Sequence, residues 1–366
     1  MKKIFAIGAL LLGSVAMFAQ PQLTKDNIDE VVAAMTLEEK ATLLVGSGWG
    51  SMTAGSMTAS ATALVPGAAG TTRSIERLGI PSTVLADGPA GLRLNTETGI
   101  PTTAWPCATL LACSWDPELI YEVGAAGGAE VRENNIGIWL TPALNIHRDP
   151  LCGRNFEYFS EDPYLAGRIG TSFVKGVQSM GVGTSLKHFA ANNQETRRMT
   201  VDSVVDERAL REIYLTAFEI AVKKAQPWTV MNSYNKINGF HGSENKHTQL
   251  EILRNEWGFD GVVVSDWGAV NNRVEGFKNG NDLEMPTSNG LGNKQIVDAV
   301  KDGRIPEEFL DKMVDNVLNV IMKSKDVLGD YTYDAAAHHQ KAREIAGQCM
   351  VLLKNEENIL QNNFLL

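Results

Sequence analysis

The sequence predicts an α/β protein whose parallel strands close into a (β/α)8 barrel. Short apolar segments recur between residues 83 and 264, and helical stretches separate them. Strands without polar alternation are typical of a parallel sheet that helices cover on both faces. Six or more such units in roughly 250 residues favour a closed barrel over an open sheet.

The first predicted element along the chain is a helix that begins at Thr36. Thr36 and Glu39 form a capping-box pattern ahead of an apolar run, which predicts a helix there. Residues 46–72 are rich in Gly, Ala, Ser and Thr, a composition typical of a loop. The predicted strands that follow are Thr83–Ala86, Thr109–Ala112, Gly137–Leu140, Thr184–Leu186, Thr229–Met231 and Gly261–Val264.

Helices are predicted between these strands. Asp116 and Asp162 each precede a proline, so each places a capping carboxylate at the start of a helix. A helix over Asp206–Lys224 carries an apolar stripe on one side. A helical pair, Lys294–Asp302 and Pro306–Lys325, is expected to complete the barrel.

The domain organisation follows from these elements. We predict a barrel over residues 20–326, a linker over 327–345 and the beginning of another domain over 346–366. A helix leads to a predicted strand at Met350–Leu353, and this strand has no partner in the rest of the sequence. An unpaired apolar strand is an aggregation risk, so trimming the chain near Ala346 is expected to improve solubility.

The N-terminus has the features of a secretory signal peptide, predicted over residues 1–19. Lys2 and Lys3 precede an uncharged, mostly apolar segment that ends in small residues suited to cleavage. A retained membrane anchor is the alternative, but the apolar segment is shorter than the ~20 residues that a spanning helix needs. We therefore expect an exported protein, periplasmic or secreted, that is free of the membrane once the signal is removed.

Composition excludes several classes of function. The chain has 366 residues, with 44% hydrophobic and 21% charged residues, so it is expected to fold around a large core. A formal net charge of −10 argues against nucleic-acid binding. The four cysteines, Cys107, Cys113, Cys152 and Cys349, lack metal-ligand spacing, and we interpret them mainly as small core residues. No metal site and no cofactor is predicted.

Polar side chains are concentrated where the predicted strands end, which is where barrel enzymes place their chemistry. Asp87 follows one strand, and Arg93 lies in the loop that Asp87 opens. Arg154 lies in the loop after Trp139. The other candidates are Lys187, His188, Tyr234, Asp266 and Trp267.

Each of these residues also has an ordinary structural interpretation. A single Asp after a strand commonly caps a helix or forms a turn, a Lys-His pair commonly lies on the surface, and Trp267 could belong to the core. Their convergence at one rim is what indicates a sugar pocket. Sugar hydroxyls need polar partners, and the apolar face of a pyranose packs against an aromatic ring.

Four segments resemble glycoside hydrolase family 3, the family of the β-glucosidases. The segment Ile252–Ala269 resembles the nucleophile region of that family, and the likeness continues in Leu85–Arg93, Arg148–Arg154 and Leu186–Glu195. The resemblance extends over about residues 24–360. Related β-N-acetylglucosaminidases carry a Pro-Gly-His-Gly loop after the Lys-His-Phe segment, and this sequence lacks it.

The resemblance implies a retaining, exo-acting glycosidase that releases terminal glucose from β-linked oligosaccharides or aryl glucosides of plant or β-glucan origin. It implies that Asp266 is the nucleophile, and that Asp87, Arg154, Lys187 and His188 hold the hydroxyls of the terminal sugar. Tyr234 would lie beside the nucleophile, and Trp267 would form one wall of the aglycone site. Nearby cations and the Tyr234 hydroxyl are expected to lower the nucleophile's pKa.

Retaining chemistry also needs a carboxylic acid that protonates the departing oxygen. The family takes this glutamate from a second, α/β sandwich domain, and Ala346–Glu356 resembles the entrance to that domain. We therefore predict no acid/base residue in this chain and expect it in a missing or separately encoded domain. The alternatives are a sugar-binding remnant without catalysis, or the same mechanism on β-xylosides or α-arabinofuranosides.

Overall fold

The computed structural model describes residues 20–48, 64–94, 98–325 and 328–358. The predicted signal peptide and the segment from residue 359 onwards lie outside these ranges. The described residues contain nine strands: β1 (Gly70–Thr71), β2 (Val84–Ala86), β3 (Ile138–Trp139), β4 (Gly183–Phe189), β5 (Asp202–Ser203), β6 (Thr229–Asn232), β7 (Lys236–Ile237), β8 (Phe240–His241) and β9 (Val262–Val264).

Six of the strands form one curled sheet in the order β1-β2-β3-β4-β6-β9. The five from β2 to β9 are parallel, whereas β1 pairs with β2 in the antiparallel sense. The remaining strands, β5, β7 and β8, form a small separate sheet. The parallel core confirms the predicted α/β class.

Isolated bridges close the curled sheet into a barrel. Val264 pairs with Leu283, Glu284 pairs with Val45, and Ser47 pairs with Thr71 of β1. The segments around residues 45–47 and 283–284 thus join the six strands, and together they form a closed ring of eight chain segments. The fold is the predicted barrel of the (β/α)8 type, with the departure that its second segment, β1, runs antiparallel to both neighbours.

Helices cover the outside of the ring: α1 (Ile28–Ala34), α2 (Leu37–Leu43), α3 (Ala108–Ala112), α4 (Pro117–Glu133), α5 (Pro163–Ser179), α6 (Glu207–Ala209), α7 (Thr216–Ala225), α8 (Arg273–Lys278), α9 (Leu291–Lys301), α10 (Glu307–Lys325) and α11 (Ala335–Gln348). Two π-helical segments, Leu210–Tyr214 and His247–Glu256, lie between them. No helix in the four described ranges is long and apolar enough to cross a membrane.

The predicted helix starts are confirmed by their caps. The Thr36 hydroxyl accepts a hydrogen bond from the Glu39 amide, and the Glu39 carboxylate accepts one from the Thr36 amide. Asp116 and Asp162 each accept two hydrogen bonds from amides in the first turns of α4 and α5. Each such cap contributes about 1 kcal/mol, because it satisfies amides that have no partner within the helix.

Two predicted strands are wrong. The segment Thr109–Ala112 belongs to helix α3, because Leu and Ala are strong helix formers and a run of four apolar residues carries no periodicity. Met350–Leu353 pairs with no strand among the described residues, and all four of its side chains are exposed. The expected apolar exposure of this segment is therefore present, although the strand is not.

The cysteines divide evenly between the interior and the surface. Cys152 and Cys349 are buried as expected, whereas Cys113 is exposed and Cys107 is half-buried. All four are free thiols. The interpretation as core residues is therefore wrong for Cys113, which ends helix α3 at the surface.

Two apolar clusters hold the helices on the barrel. One packs α4, α5 and α7 against the sheet, with residues such as Phe173 and Phe218 fully or nearly fully buried. The other packs α1, α2, α9 and α10, with Leu310 and Val314 at its centre. Burial of each such side chain contributes about 1.5–3 kcal/mol, so the barrel is a rigid support for the loops at its rim.

Candidate active site

The carboxyl ends of the parallel strands surround a cavity of about 530 Å³. All eight residues that the sequence predicts for the site line it: Asp87, Arg93, Arg154, Lys187, His188, Tyr234, Asp266 and Trp267. The sheet explains this convergence, because strands β2, β4, β6 and β9 are parallel and their ends reach the same edge of the barrel.

Asp87 lies between two cations at one side of the cavity. It accepts a hydrogen bond from Lys187 Nζ at 2.7 Å through Oδ1, and one from Arg93 Nη2 at 2.6 Å through Oδ2. Although burial favours the neutral acid, Lys187 and Arg93 lower the pKa of Asp87 to about 2. Asp87 is therefore a permanent carboxylate with acceptor capacity left for sugar hydroxyls.

Arg154 connects this cluster to the histidine. Its Nε donates to Glu157 Oε1, and its Nη2 donates to His188 Nε2 at 2.8 Å. Lys187 Nζ lies 4.0 Å from the other oxygen of Glu157. Glu157 is thus held by the cations of the site and orients Arg154.

His188 is neutral in this site. Burial and the neighbouring charges of Arg154 and Lys187 place the pKa of His188 well below its ordinary value. Because the guanidinium can only donate, we assign the lone pair to Nε2 and the proton to Nδ1. The Nδ1 atom lies 3.4 Å from the Tyr158 hydroxyl, which donates to the Asn192 carbonyl at 3.2 Å.

Asp266 presents one bonded and one free oxygen. Its Oδ1 accepts a 2.7 Å hydrogen bond from the Trp267 amide, and its own amide donates to Asn232 Oδ1 at 3.3 Å. Its Oδ2 has no hydrogen-bond partner among the described residues, and His188 Nε2 lies 3.7 Å away. Both His188 and Asp266 line the cavity, so the free oxygen is available to a ligand there.

The direction of the pKa shift at Asp266 differs from the sequence-based expectation. Burial raises the pKa of this carboxyl above its ordinary value, while Arg154, the Trp267 amide, Lys187 and Tyr234 act against that shift. The groups expected to lower the pKa are thus in place, but burial outweighs them. The extent of burial is set by the tertiary packing around the residue, and a strand pattern gives no measure of it.

Tyr234 and Trp267 form a rigid wall beside Asp266. The Tyr234 hydroxyl donates to the Trp267 carbonyl at 2.9 Å, and the indole Nε1 of Trp267 donates to the Ala69 carbonyl at 3.0 Å. Burial and the neighbouring Asp266 raise the pKa of Tyr234, so its phenol stays protonated. The guanidinium of Arg198 stacks on the Tyr234 ring at 4.6 Å from its centroid.

Sequence reasoning missed part of the lining. Arg198 reaches the cavity from the loop before β5 and is paired with Glu195 at 2.9 Å. Phe156 reaches it from the turn that also carries Arg154 and Glu157. Phe156 lies two residues after the predicted Arg154, so its position in the sequence could have indicated it. Arg198 lies in a loop without any periodic signal. Further lining residues are Gly67, Ala68, Pro89, Leu94, Leu140 and Met231.

The other acidic residues near the rim are paired with arginines. Glu157 contacts Arg154, Glu195 contacts Arg198, and Glu284 lies 3.4 Å from Arg273. In the described ranges, the carboxyls that line the cavity are Asp87, Glu157 and Asp266. The same ranges contain no group of three His, Cys, Asp or Glu side chains that could hold a metal ion.

Comparison with known proteins identifies the barrel. The family model "Glycosyl hydrolase family 3 N terminal domain" matches residues 23–320. The chain is 52% identical to thermostable beta-glucosidase B of Acetivibrio thermocellus, over 91% of its own length and 43% of that protein. It is 45% identical to an exo-alpha-(1->6)-L-arabinopyranosidase of Bifidobacterium longum, over 91% of its length and 42% of that protein.

A solved structure has the same fold. Beta-glucosidase 3B from Thermotoga neapolitana, in complex with alpha-D-glucose, superposes with a TM-score of 0.83 at 48% sequence identity. The match covers 91% of this chain and 48% of that one. The chain thus spans less than half the length of these relatives.

Proposed function

The chain belongs to glycosyl hydrolase family 3, and from this membership we propose that it is the barrel of a retaining, exo-acting β-glucosidase. The observation that carries the proposal is the free Oδ2 of Asp266 in a cavity lined by cations and hydroxyl-binding groups. A carboxylate in this position can attack a sugar at C1, because no other group of the described residues occupies the attacking oxygen.

In the proposed first step, Asp266 Oδ2 forms a bond to C1 as the bond from C1 to the aglycone oxygen breaks. The departing oxygen takes a proton from a carboxylic acid and leaves as an alcohol. Water then attacks C1, its proton returns to the same acid, and the Asp266 carboxylate is released. The two inversions at C1 together retain the β configuration.

The acid of this scheme is proposed to come from outside the residues described here. Glu157 and Glu195 are engaged by Arg154 and Arg198, and Asp87 is held ionised by Lys187. An ionised carboxylate between cations is a poor proton donor. A glutamate of a further domain, continuous with this chain or separately encoded, would complete the pair.

The terminal sugar is proposed to bind against the cluster of Asp87, Arg154, Lys187 and His188. Asp87 accepts hydrogen bonds, while Lys187 and Arg154 donate them, which suits neighbouring hydroxyls that each donate and accept. Neutral His188 accepts from Arg154 through Nε2 and so orients the guanidinium towards the sugar. The cavity volume of about 530 Å³ fits a single sugar with part of an aglycone. This arrangement supports release of one terminal unit.

A second candidate substrate is a pentopyranoside. The 45% identical relative named exo-alpha-(1->6)-L-arabinopyranosidase favours it. A pentopyranose lacks the hydroxymethyl group of glucose, so the two candidates differ in the contacts available at the outer carbon. The ratio of rates on matched dinitrophenyl glucoside and arabinopyranoside separates the two.

We also propose that the protein is exported, on the strength of its N-terminal signal pattern. Edman sequencing of the protein recovered outside the cytoplasm of an expressing bacterium tests this. The expected first residue follows Ala16 or Ala19 directly, and an intact Met1 would contradict export with cleavage.

The catalytic proposal is tested with 2,4-dinitrophenyl β-D-glucoside, whose leaving group needs little help from an acid. The chain is expected to release dinitrophenolate slowly, and Asp266→Gly to abolish that release. Added azide should then restore it and give the α-glucosyl azide, because the small anion takes the place of the carboxylate. Asp298→Asn, an exposed carboxylate on α9, is the matched control and should retain full activity.

A further inference from the structure

Phe156 is an aromatic side chain at the cavity that none of the roles above uses. It lies on the single turn Asn155–Glu157 and lines the cavity. It is 49% exposed, although its neighbours in the turn include the buried Glu157. It belongs to neither of the two apolar clusters that hold the barrel together, whereas nearby Phe159 is buried in one of them.

The turn that carries Phe156 is anchored by charged neighbours. Arg154, at the N-terminal end of the turn, bonds to Glu157 and to His188, so the backbone on both sides of Phe156 is anchored to the sugar-binding cluster. The backbone of Phe156 is therefore held beside that cluster, and its side chain lines the same cavity. Covering its exposed face with an apolar group would be favourable, because this removes apolar surface from water.

The barrel places Phe156 well apart from Trp267. Phe156 follows β3 and Trp267 follows β9, and these strands are three positions apart in the ring of eight. Trp267 is only 7% exposed and its indole is fixed by the Ala69 carbonyl, so it lies deeper than Phe156. The two aromatic rings thus enter the same cavity from different sides and at different depths.

We propose that Phe156 forms the outer, second wall of the aglycone site and gives the protein a preference for flat, apolar aglycones such as phenyl groups. The inference rests on the proposed β-glucosidase function and adds a specificity-determining residue to it. In the proposed binding mode, the C1 substituent of a sugar on the charged cluster extends towards the mouth of the cavity. There a phenyl ring can stack on Phe156 in an offset or edge-to-face arrangement.

Binding of two ligands to the full chain tests this assignment by titration calorimetry. Glucose occupies only the sugar site, whereas phenyl 1-thio-β-D-glucoside adds a phenyl aglycone that resists hydrolysis. For Phe156→Ala we expect the Kd of the thioglucoside to rise about five- to tenfold, and the Kd of glucose to change less than about twofold. Phe156→Trp should retain thioglucoside binding, since an aromatic wall is restored.

Phe240→Ala is the matched control, because Phe240 is also exposed but lies on β8 and does not line the cavity. It should leave both Kd values unchanged. Equal weakening of glucose and thioglucoside in Phe156→Ala would overturn the inference, as would an unchanged thioglucoside Kd. Failure of the unaltered chain to bind glucose would instead refute the proposed function, and the aglycone wall with it.

Discussion

Replacing Asp87 with Asn tests the charged cluster on which the sugar site depends. Asp87 accepts hydrogen bonds from Lys187 at 2.7 Å and Arg93 at 2.6 Å, and its pKa is about 2 against an ordinary value of 3.8. A difference of this size corresponds to roughly 2.5 kcal/mol in favour of the charged form. Because the side chain is 27% exposed, solvent screening reduces the contribution to about 1–2 kcal/mol.

The pH dependence of this contribution has a definite sign. The pKa of Asp87 is lower in the folded than in the unfolded protein, so its ionisation stabilises the fold in full above about pH 4. The stabilisation is lost as the pH falls from about 4 towards about 2, where both states bind the proton.

Urea unfolding of the unaltered chain and of Asp87→Asn at pH 6 and pH 3 measures the effect. We expect the variant to be less stable by about 1–2 kcal/mol at pH 6, and this gap to shrink by roughly half at pH 3. Asp298→Asn is the control, because Asp298 forms an exposed ion pair with Lys294 and should cost less than about 0.5 kcal/mol at either pH. An equal gap at both pH values would refute the low pKa of Asp87.

Three further changes have definite expected outcomes. Arg154→Gln should move the acid limb of dinitrophenyl glucoside hydrolysis to higher pH, because Arg154 is the largest of the influences that lower the pKa of Asp266; an unmoved limb in a pH–rate profile would contradict this. Thr36→Ala should lower the free energy of unfolding in urea by about 1 kcal/mol through loss of its cap to the Glu39 amide, and no loss would show that the capping box is dispensable. Ending the chain after buried Cys349 removes the exposed Met350–Leu353 and should raise the concentration at which the protein precipitates. An unchanged precipitation concentration would show that this segment does not limit solubility.

The sequence predicts the barrel and its rim well, for a physical reason. Parallel strands repeat the same unit, so the polar residue at the end of each apolar run reaches the same edge. Asp87, Lys187 and Asp266 could therefore be placed together before their loops were known. Phe156 has no such regular position, and its exposure became visible only in the folded turn.

The two wrong strands share a different cause, which is the shortness of the segments involved. Thr109–Ala112 and Met350–Leu353 each have only four residues, too few for strand and helix periods to differ. The antiparallel β1, Gly70–Thr71, lies in the region predicted to be a loop because of its small residues. The raised pKa of Asp266 results from burial in the folded protein, which no local pattern encodes.

Covalent labelling of the chain is the most direct test of a sugar-accepting carboxylate at position 266. The unaltered chain is incubated with 2,4-dinitrophenyl 2-deoxy-2-fluoro-β-D-glucoside and digested, and its peptides are weighed. The account predicts one fluorosugar on the peptide that contains Asp266, and none in Asp266→Gly. An unlabelled protein, or a label on Asp87 or Glu157 instead, would contradict it.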